Sequence, residues 1–190
     1  MSKLLKKSEL LKVLQISNTV FKNLNLEIFS HNGLFDLDEV VNYRQKNNRE
    51  LIQELKLNTE YKNKEICTAS KCSTQGGMRR FHYTNTLVLF SNQMNFGKRE
   101  IVYGDYWENN SLYYTGMGLS GDQSIDEKQN KILANSLTNY VDVYLFETQK
   151  DANHLYRGRV MLVGEPFAVY ENDQNGRSRI VYKFPLELTQ

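Results

Sequence analysis

The 190-residue chain holds two prolines, two cysteines, one tryptophan and three histidines, and each scarcity closes off a class. Cys67 and Cys72 are too few for a disulfide-built fold. With no histidine pair nearby they make no structural zinc site, so reduced thiols in a cytoplasmic protein are expected. His31, His82 and His154 each lack a second histidine at ligand spacing, so no metal centre is expected among them. No apolar run approaches the roughly 18–20 residues of a bilayer span, and Met1-Ser2-Lys3-Leu4-Leu5-Lys6-Lys7 lacks the apolar core of a signal peptide. There is no Walker loop, no Gly-x-Ser-x-Gly and no catalytic-cysteine context, so neither a cofactor nor a catalytic residue is expected. Glu60-Tyr61-Lys62 following Asp38 matches the form of a nuclease core, but in a stretch that reads as helical. An excess of charge of one sign is also lacking. The net charge is +2, so any affinity for nucleic acid must come from local clusters: Lys71, Arg79-Arg80, Lys98-Arg99, Arg157 with Arg159, and Arg177 with Arg179.

What the chain has in quantity is tyrosine and phenylalanine, twelve and nine, and these point to a β-rich body. Two regions are expected, 1–64 and 65–190. In the first, Ser8 can cap a helix through Leu10, Leu11 and Leu14. After a break at Gln15-Ile16, Ser17 or Asn18 opens a second helix through Val20, Phe21 and Leu24, and Asp36 to Tyr43 opens a third that is expected to continue towards Leu57. This outline resembles the small helix-turn-helix modules of phage excisionases. That resemblance would place Asn18, Thr19, Lys22 and Asn23 against DNA, while a plain packing or dimerisation unit remains the open alternative.

In the second region, Thr86–Phe90, Ile101–Tyr103, Val141–Phe146, Arg159–Val163 and Arg179–Phe184 read as strands, with Asp173-Gln174-Asn175-Gly176 as a hairpin turn before the last. One helix, Asp126–Leu137, interrupts them. The fold class is therefore α+β: a curved sheet or open barrel with a packed helix, preceded by a small helical region.

The densest pattern lies at Tyr113-Tyr114-Thr115-Gly116-Met117-Gly118, with Asp105 before it and Gly121-Asp122-Gln123-Ser124 after. An aromatic face, a carboxylate and a glycine turn that lets backbone approach closely can hold one planar polar ring. In order along the chain, Gln75-Gly76-Gly77-Met78-Arg79-Arg80, Tyr103 and Asp105, Tyr114 to Gly118, Asp122-Gln123, Asn130 to Ala134, and Tyr156-Arg157-Gly158 resemble the SRA (SET- and RING-associated, YDG) family, including its bacterial relatives in modification-dependent restriction. The resemblance covers about 110 residues. It implies an SRA-type fold that flips modified cytosine (5-methyl or 5-hydroxymethyl) out of double-stranded DNA. Tyr114 would stack on the base, Tyr103 or Tyr106 would take the other face, Asp105 would accept from the exocyclic amine, and Thr115 and Gly116 would line the pocket.

Where eukaryotic members carry a longer basic loop, only Leu119-Ser120 stands here. The wedge that fills the vacated stack is therefore expected from the Gln75–Arg80 loop, as Met78 or Arg79. His82, Lys98 and Arg99 are further expected DNA contacts. The reading is of a recognition component with a nuclease on a partner chain or elsewhere, and with a homodimer as a further expected partnership. Two other classes stay open: a modification-dependent endonuclease with unrecognised catalytic residues, and a helix-turn-helix transcription regulator with a ligand-binding β-domain.

Overall fold

The computed structural model describes residues 3–52, 54–81, 85–92, 104–149, 151–173 and 175–189. The chain opens with β1 (Leu4–Lys6), α1 (Lys7–Val13) and α2 (Asn18–Asn23), followed by a 3₁₀ turn at Leu26–Phe29. Next come β2 (Ser30–His31), β3 (Leu34–Asp36) and α3 (Leu37–Ile52). The three helices stand near their expected places, but the region is not purely helical, because β1, β3 and β2 form a small antiparallel sheet.

Local chemistry explains the helix starts. Glu9 accepts the Lys6 amide, so α1 begins one residue before Ser8. Ser17 Oγ accepts the Val20 amide at 3.2 Å, and Asp36 Oδ1 accepts the amides of Asp38 and Glu39. Gln15 and Asn25 take positive φ after the first two helices. The apolar faces of all three helices and of the small sheet converge on Leu10, Leu14, Phe21, Leu26, Phe35 and Val40.

β4 (Glu60–Tyr61) and α4 (Asn63–Ser70) lead into β5 (Met78–Phe81), β6 (Thr86–Ser91), β7 (Tyr106–Glu108) and β8 (Ser111–Thr115). Then come α5 (Lys128–Ala134), β9 (Asp142–Thr148), β10 (His154–Leu162), β11 (Phe167–Asn172) and β12 (Ser178–Leu188). The described strands of this region form one open sheet in the order β5-β6-β9-β10-β12-β8-β7, with β11 on β12 and β4 on β10. Only the β6–β9 pairing is parallel among those described.

Alternation sorts each strand between two layers. Leu87, Leu89, Val143 and Leu145 join Leu112, Tyr114, Phe184 and the α5 residue Leu133 on one face. Val88, Phe90, Tyr144 and Phe146 pack with Ile52 of α3 and Ile66 of α4 on the other. Two elements differ from expectation. The expected hairpin pairs β12 with β11, a strand whose side chains are mostly exposed and so carry no alternation signal. Glu60 and Tyr61 form an edge pairing with β10 rather than part of a helix.

Candidate functional site

The site is built where β8 ends. Its last residue, Thr115, donates its amide to Asp105 Oδ1 at 2.8 Å, so the carboxylate is tied to the end of the strand. The next residues turn away through Gly116 and Gly118. Gly116 is needed by close approach: a Cβ there would lie 2.8 Å from Gln123 Oε1 and 2.9 Å from Asn130 Oδ1. Gly118 has φ +137°, a conformation that side chains rarely adopt.

Two buried amides hold this turn. Gln123 Nε2 donates to the Gly116 carbonyl at 2.6 Å, and its Oε1 accepts the Tyr182 amide at 2.9 Å. Asn130, on α5, brackets Met117 by accepting its amide at 2.8 Å and donating to its carbonyl at 3.1 Å. Arg179 adds a bond to the Gly118 carbonyl at 2.6 Å. The Asp-Gln and asparagine elements of the sequence pattern therefore shape the turn rather than line the pocket.

Asp105, Tyr114 and Thr115 border one cavity of about 50 Å³, together with Gly77, Met78, Phe90, Asn92 and Met117. The Tyr114 ring is 3% exposed and its hydroxyl donates to the Gly77 carbonyl at 2.9 Å, fastening the glycine loop to β8. Burial pushes the Asp105 carboxyl above the ordinary range. The hydrogen bond from the Thr115 amide, the Thr115 side chain and the nearby Lys183 ammonium oppose that rise. A carboxylate so placed is a desolvated acceptor in a mostly apolar wall, a combination found in pockets for small polar ligands.

Comparison with known proteins bears on what this arrangement belongs to. Residues 58–189 match the profile of the ScoMcrA-like SRA domain family. The chain belongs to that family. Among solved structures, the fold is similar to that of the Type IV phosphorothioation-dependent restriction endonuclease ScoMcrA, with a TM-score of 0.55 and 16% identity over 70% of this chain. This chain spans 28% of the length of that one. It is also similar to the SRA domain of SUVH5 bound to fully methylated CG DNA, with a TM-score of 0.54 and 21% identity over 73% of this chain and 91% of the other. A further similar structure is SUVH5 SRA with fully hydroxymethylated CG DNA, with a TM-score of 0.53 and 20% identity over the same shares. A search of curated proteins found no match. The family match begins after the N-terminal unit, and the excisionase-like reading of that unit is not supported by these comparisons.

Within the SRA domain, several expected site residues lie elsewhere. Tyr106 does not face the cavity. It pairs with Tyr113, the neighbour that points to the opposite side of β8 from Tyr114, and stacks on it at 4.9 Å. Met78 borders the cavity but is 4% exposed, a core residue rather than a protruding wedge. Arg79 is 7% exposed and its guanidinium is used internally. It lies 3.7 Å over the Phe90 ring and donates to Gly76, Ser73 and Asn63. Neither a wedge nor a phosphate contact is consistent with that burial.

Arg80 donates to Asn85 at 2.9 Å, and desolvation lowers its pKa to about 10. Gln75 is exposed on the loop, as are Asn18 and Lys22 on α2. Tyr103, His82, Lys98 and Arg99 lie outside the described residues.

Sequence reading missed Phe90, Asn92 and Met117 in the cavity wall, and Lys183 behind it. The sequence carried no signal for Lys183, whose place opposite Thr115 is set by the pairing of β12 with β8. Among the described residues no cluster of three or more His, Cys, Asp or Glu side chains is placed to hold a metal, and no helix is long and apolar enough to cross a membrane.

Proposed function

We propose that this chain binds double-stranded DNA and recognises a modified cytosine by taking the base out of the duplex into the Asp105–Tyr114 cavity. The observation that carries this reading is the pairing of a buried, hydrogen-bonded carboxylate with an aromatic wall at a glycine turn, in a member of the SRA family. Unpairing and unstacking a base costs a few kcal/mol, and stacking on aromatic side chains at about 1–3 kcal/mol per base offsets it. Asp105, still an acceptor after binding the Thr115 amide, meets the exocyclic amine of cytosine. Thymine presents an acceptor at that position and is rejected. Met117 and Met78 add apolar wall for a 5-substituent.

The likeness to a restriction endonuclease of which this chain covers 28% supports a role as the recognition part of a modification-dependent restriction system in the cytoplasm. Cleavage would then be supplied by a partner chain or by further sequence. ScoMcrA was solved through its sulfur-binding and SRA domains with phosphorothioated DNA, so a backbone phosphorothioate is the competing mark to include in any test.

The test is fluorescence of 2-aminopurine placed beside a central cytosine that is plain, 5-methylated or 5-hydroxymethylated, with a phosphorothioate duplex as a fourth arm. A rise for one base-modified duplex that is lost in Tyr114→Ala supports the reading and names the mark. Equal binding to all four duplexes without a rise sinks it.

A further inference from the structure

The cavity accounts for Asp105, Tyr114 and Thr115, but not for the buried cation behind them. Lys183 is 3% exposed on β12, and its three N–H donors have three acceptors: the Gly104 carbonyl at 2.6 Å, Thr115 Oγ1 at 2.7 Å and the Glu171 carboxylate at 2.5 Å. These lie on three separate segments: the one entering Asp105, the end of β8, and β11. Gly104 makes the arrangement sterically available, because a Cβ there would lie 2.9 Å from Glu171 Oε1 and 3.4 Å from Lys183 Nζ.

An ammonium can only donate. With its oxygen accepting from Lys183, the Thr115 hydroxyl is left to donate its own proton, and the Thr115 side chain favours the charged form of Asp105. Lys183 thereby orients the Thr115 hydroxyl, while the amide of the same residue donates to the Asp105 carboxylate at 2.8 Å.

We propose that Lys183, braced by Glu171, is the positioning residue that fixes the Asp105–Thr115 pair at the wall of the cavity and keeps the carboxylate an acceptor there. Lys183 does not line the cavity, so its effect on recognition passes through the Asp105–Thr115 pair. The inference rests on the base-reading role proposed for Asp105 and extends it to a residue more than sixty positions away in sequence. The ionisable groups around Asp105 among the described residues are Lys183 on β12, Glu171 on β11, Tyr114 on β8 and the adjacent Tyr106. Of these, Lys183 favours the charged carboxylate through its field.

The experiment is a carboxyl-carbon NMR titration of Asp105 in the full chain without DNA, in wild type, Lys183→Met, Thr115→Val and Glu171→Gln. Duplex binding is then measured from pH 6 to pH 9. In Lys183→Met the Asp105 midpoint is expected to rise by about one pH unit or more. Selectivity for the modified duplex should drop about tenfold near neutrality and recover as pH rises. Thr115→Val, which keeps the ammonium and nearly the same volume, is expected to move the midpoint the same way, and it covers the case in which Lys183→Met does not fold. Glu171→Gln removes a negative charge and is expected to leave the midpoint unchanged or lower.

An unmoved midpoint in both Lys183→Met and Thr115→Val overturns the positioning role. An equal rise in Glu171→Gln overturns it too, because that pattern reports loosened packing. A raised midpoint in a protein that never distinguishes modified from plain duplex leaves the positioning role standing and sinks the base-reading role of Asp105.

Discussion

The N-terminal unit and the SRA domain are held together in different ways. Around Phe21 the contacts are almost wholly apolar, with Leu10, Leu14, Phe21 and Leu26 fully buried. Around Thr115 the chain is held by side chains reaching backbone: Gln123 to Gly116, Asn130 to Met117, Tyr114 to Gly77 and Lys183 to Gly104. Apolar packing tolerates small shifts and resists loss of volume. A polar lattice fixes atoms to tenths of an ångström but leaves groups unpaired when one partner goes. The difference separates the readouts: substitutions in the first unit should appear as stability, and those in the second as selectivity.

The largest effect is expected in the first unit. Phe21 is 0% exposed and meets Phe35 edge-to-face at 5.5 Å, so Phe21→Ala should remove about 3–5 kcal/mol of that unit's stability. Urea unfolding followed by circular dichroism checks this. The ratio of affinities for modified and plain duplex, measured in the folded baseline, should stay where it was. If the ratio collapses, the two units do not act separately.

Next comes Gly116→Ala, which drives a methyl into Gln123, Asn130 and the Phe184 ring at 2.8, 2.9 and 3.1 Å. Overpacking of this kind costs about 1–3 kcal/mol, less than the Phe21 truncation. It should nevertheless abolish selectivity, because the turn carries Thr115 and with it Asp105. A thermal melt paired with anisotropy binding to both duplexes tests this. Selectivity that survives a lowered melting temperature would separate the turn from the site.

The contrast also explains what could be seen in advance. The glycine turn, Asp105 and Tyr114 were legible because their chemistry is local in sequence. The ordered motifs leading to the SRA resemblance led to the fold, and the family match agrees with it. Strands β6, β9 and β12 were legible from apolar, alternating runs. Lys183 was not, because its partners at Thr115 and Gly104 lie 68 and 79 residues away and a lysine in a strand ordinarily signals a solvated face. The Arg79 assignment failed for the mirror-image reason: adjacent arginines suggest an outer basic surface, yet Phe90 and the Asn63 side chain draw this one inward. Strands β1 and β2, at three and two residues, are too short to show any period.

Asp105→Asn should sharpen the comparison by moving stability and selectivity in opposite directions. Burial raises the Asp105 pKa in the folded chain, so the native state holds its proton to higher pH than the unfolded state does. Between the two pKa values the native state binds more protons, and stability therefore falls as pH rises through that window. Asparagine keeps an oxygen for the Thr115 amide and carries no charge. The variant should melt above wild type, with the gap widening as pH is raised from 4 towards neutrality, while selectivity for modified cytosine is lost. A variant that melts below wild type at neutral pH would mean that the Lys183 and Thr115 bonds outweigh the desolvation of the carboxylate.

The smallest effect lies at α2, and it asks whether the N-terminal unit touches DNA. Ser17 Oγ satisfies the Val20 amide at the helix start, and Ser17→Ala should lower stability by about 1 kcal/mol. The selectivity ratio should be unchanged, because no α2 residue borders the cavity. If Asn18 and Lys22 meet phosphates, the weakened helix start should lower affinity for modified and plain duplexes by the same factor, and Lys22→Ala should lower the salt dependence of both by about one counterion. If neither affinity nor salt slope moves in the two variants, α2 is a packing element and DNA recognition resides in the SRA domain.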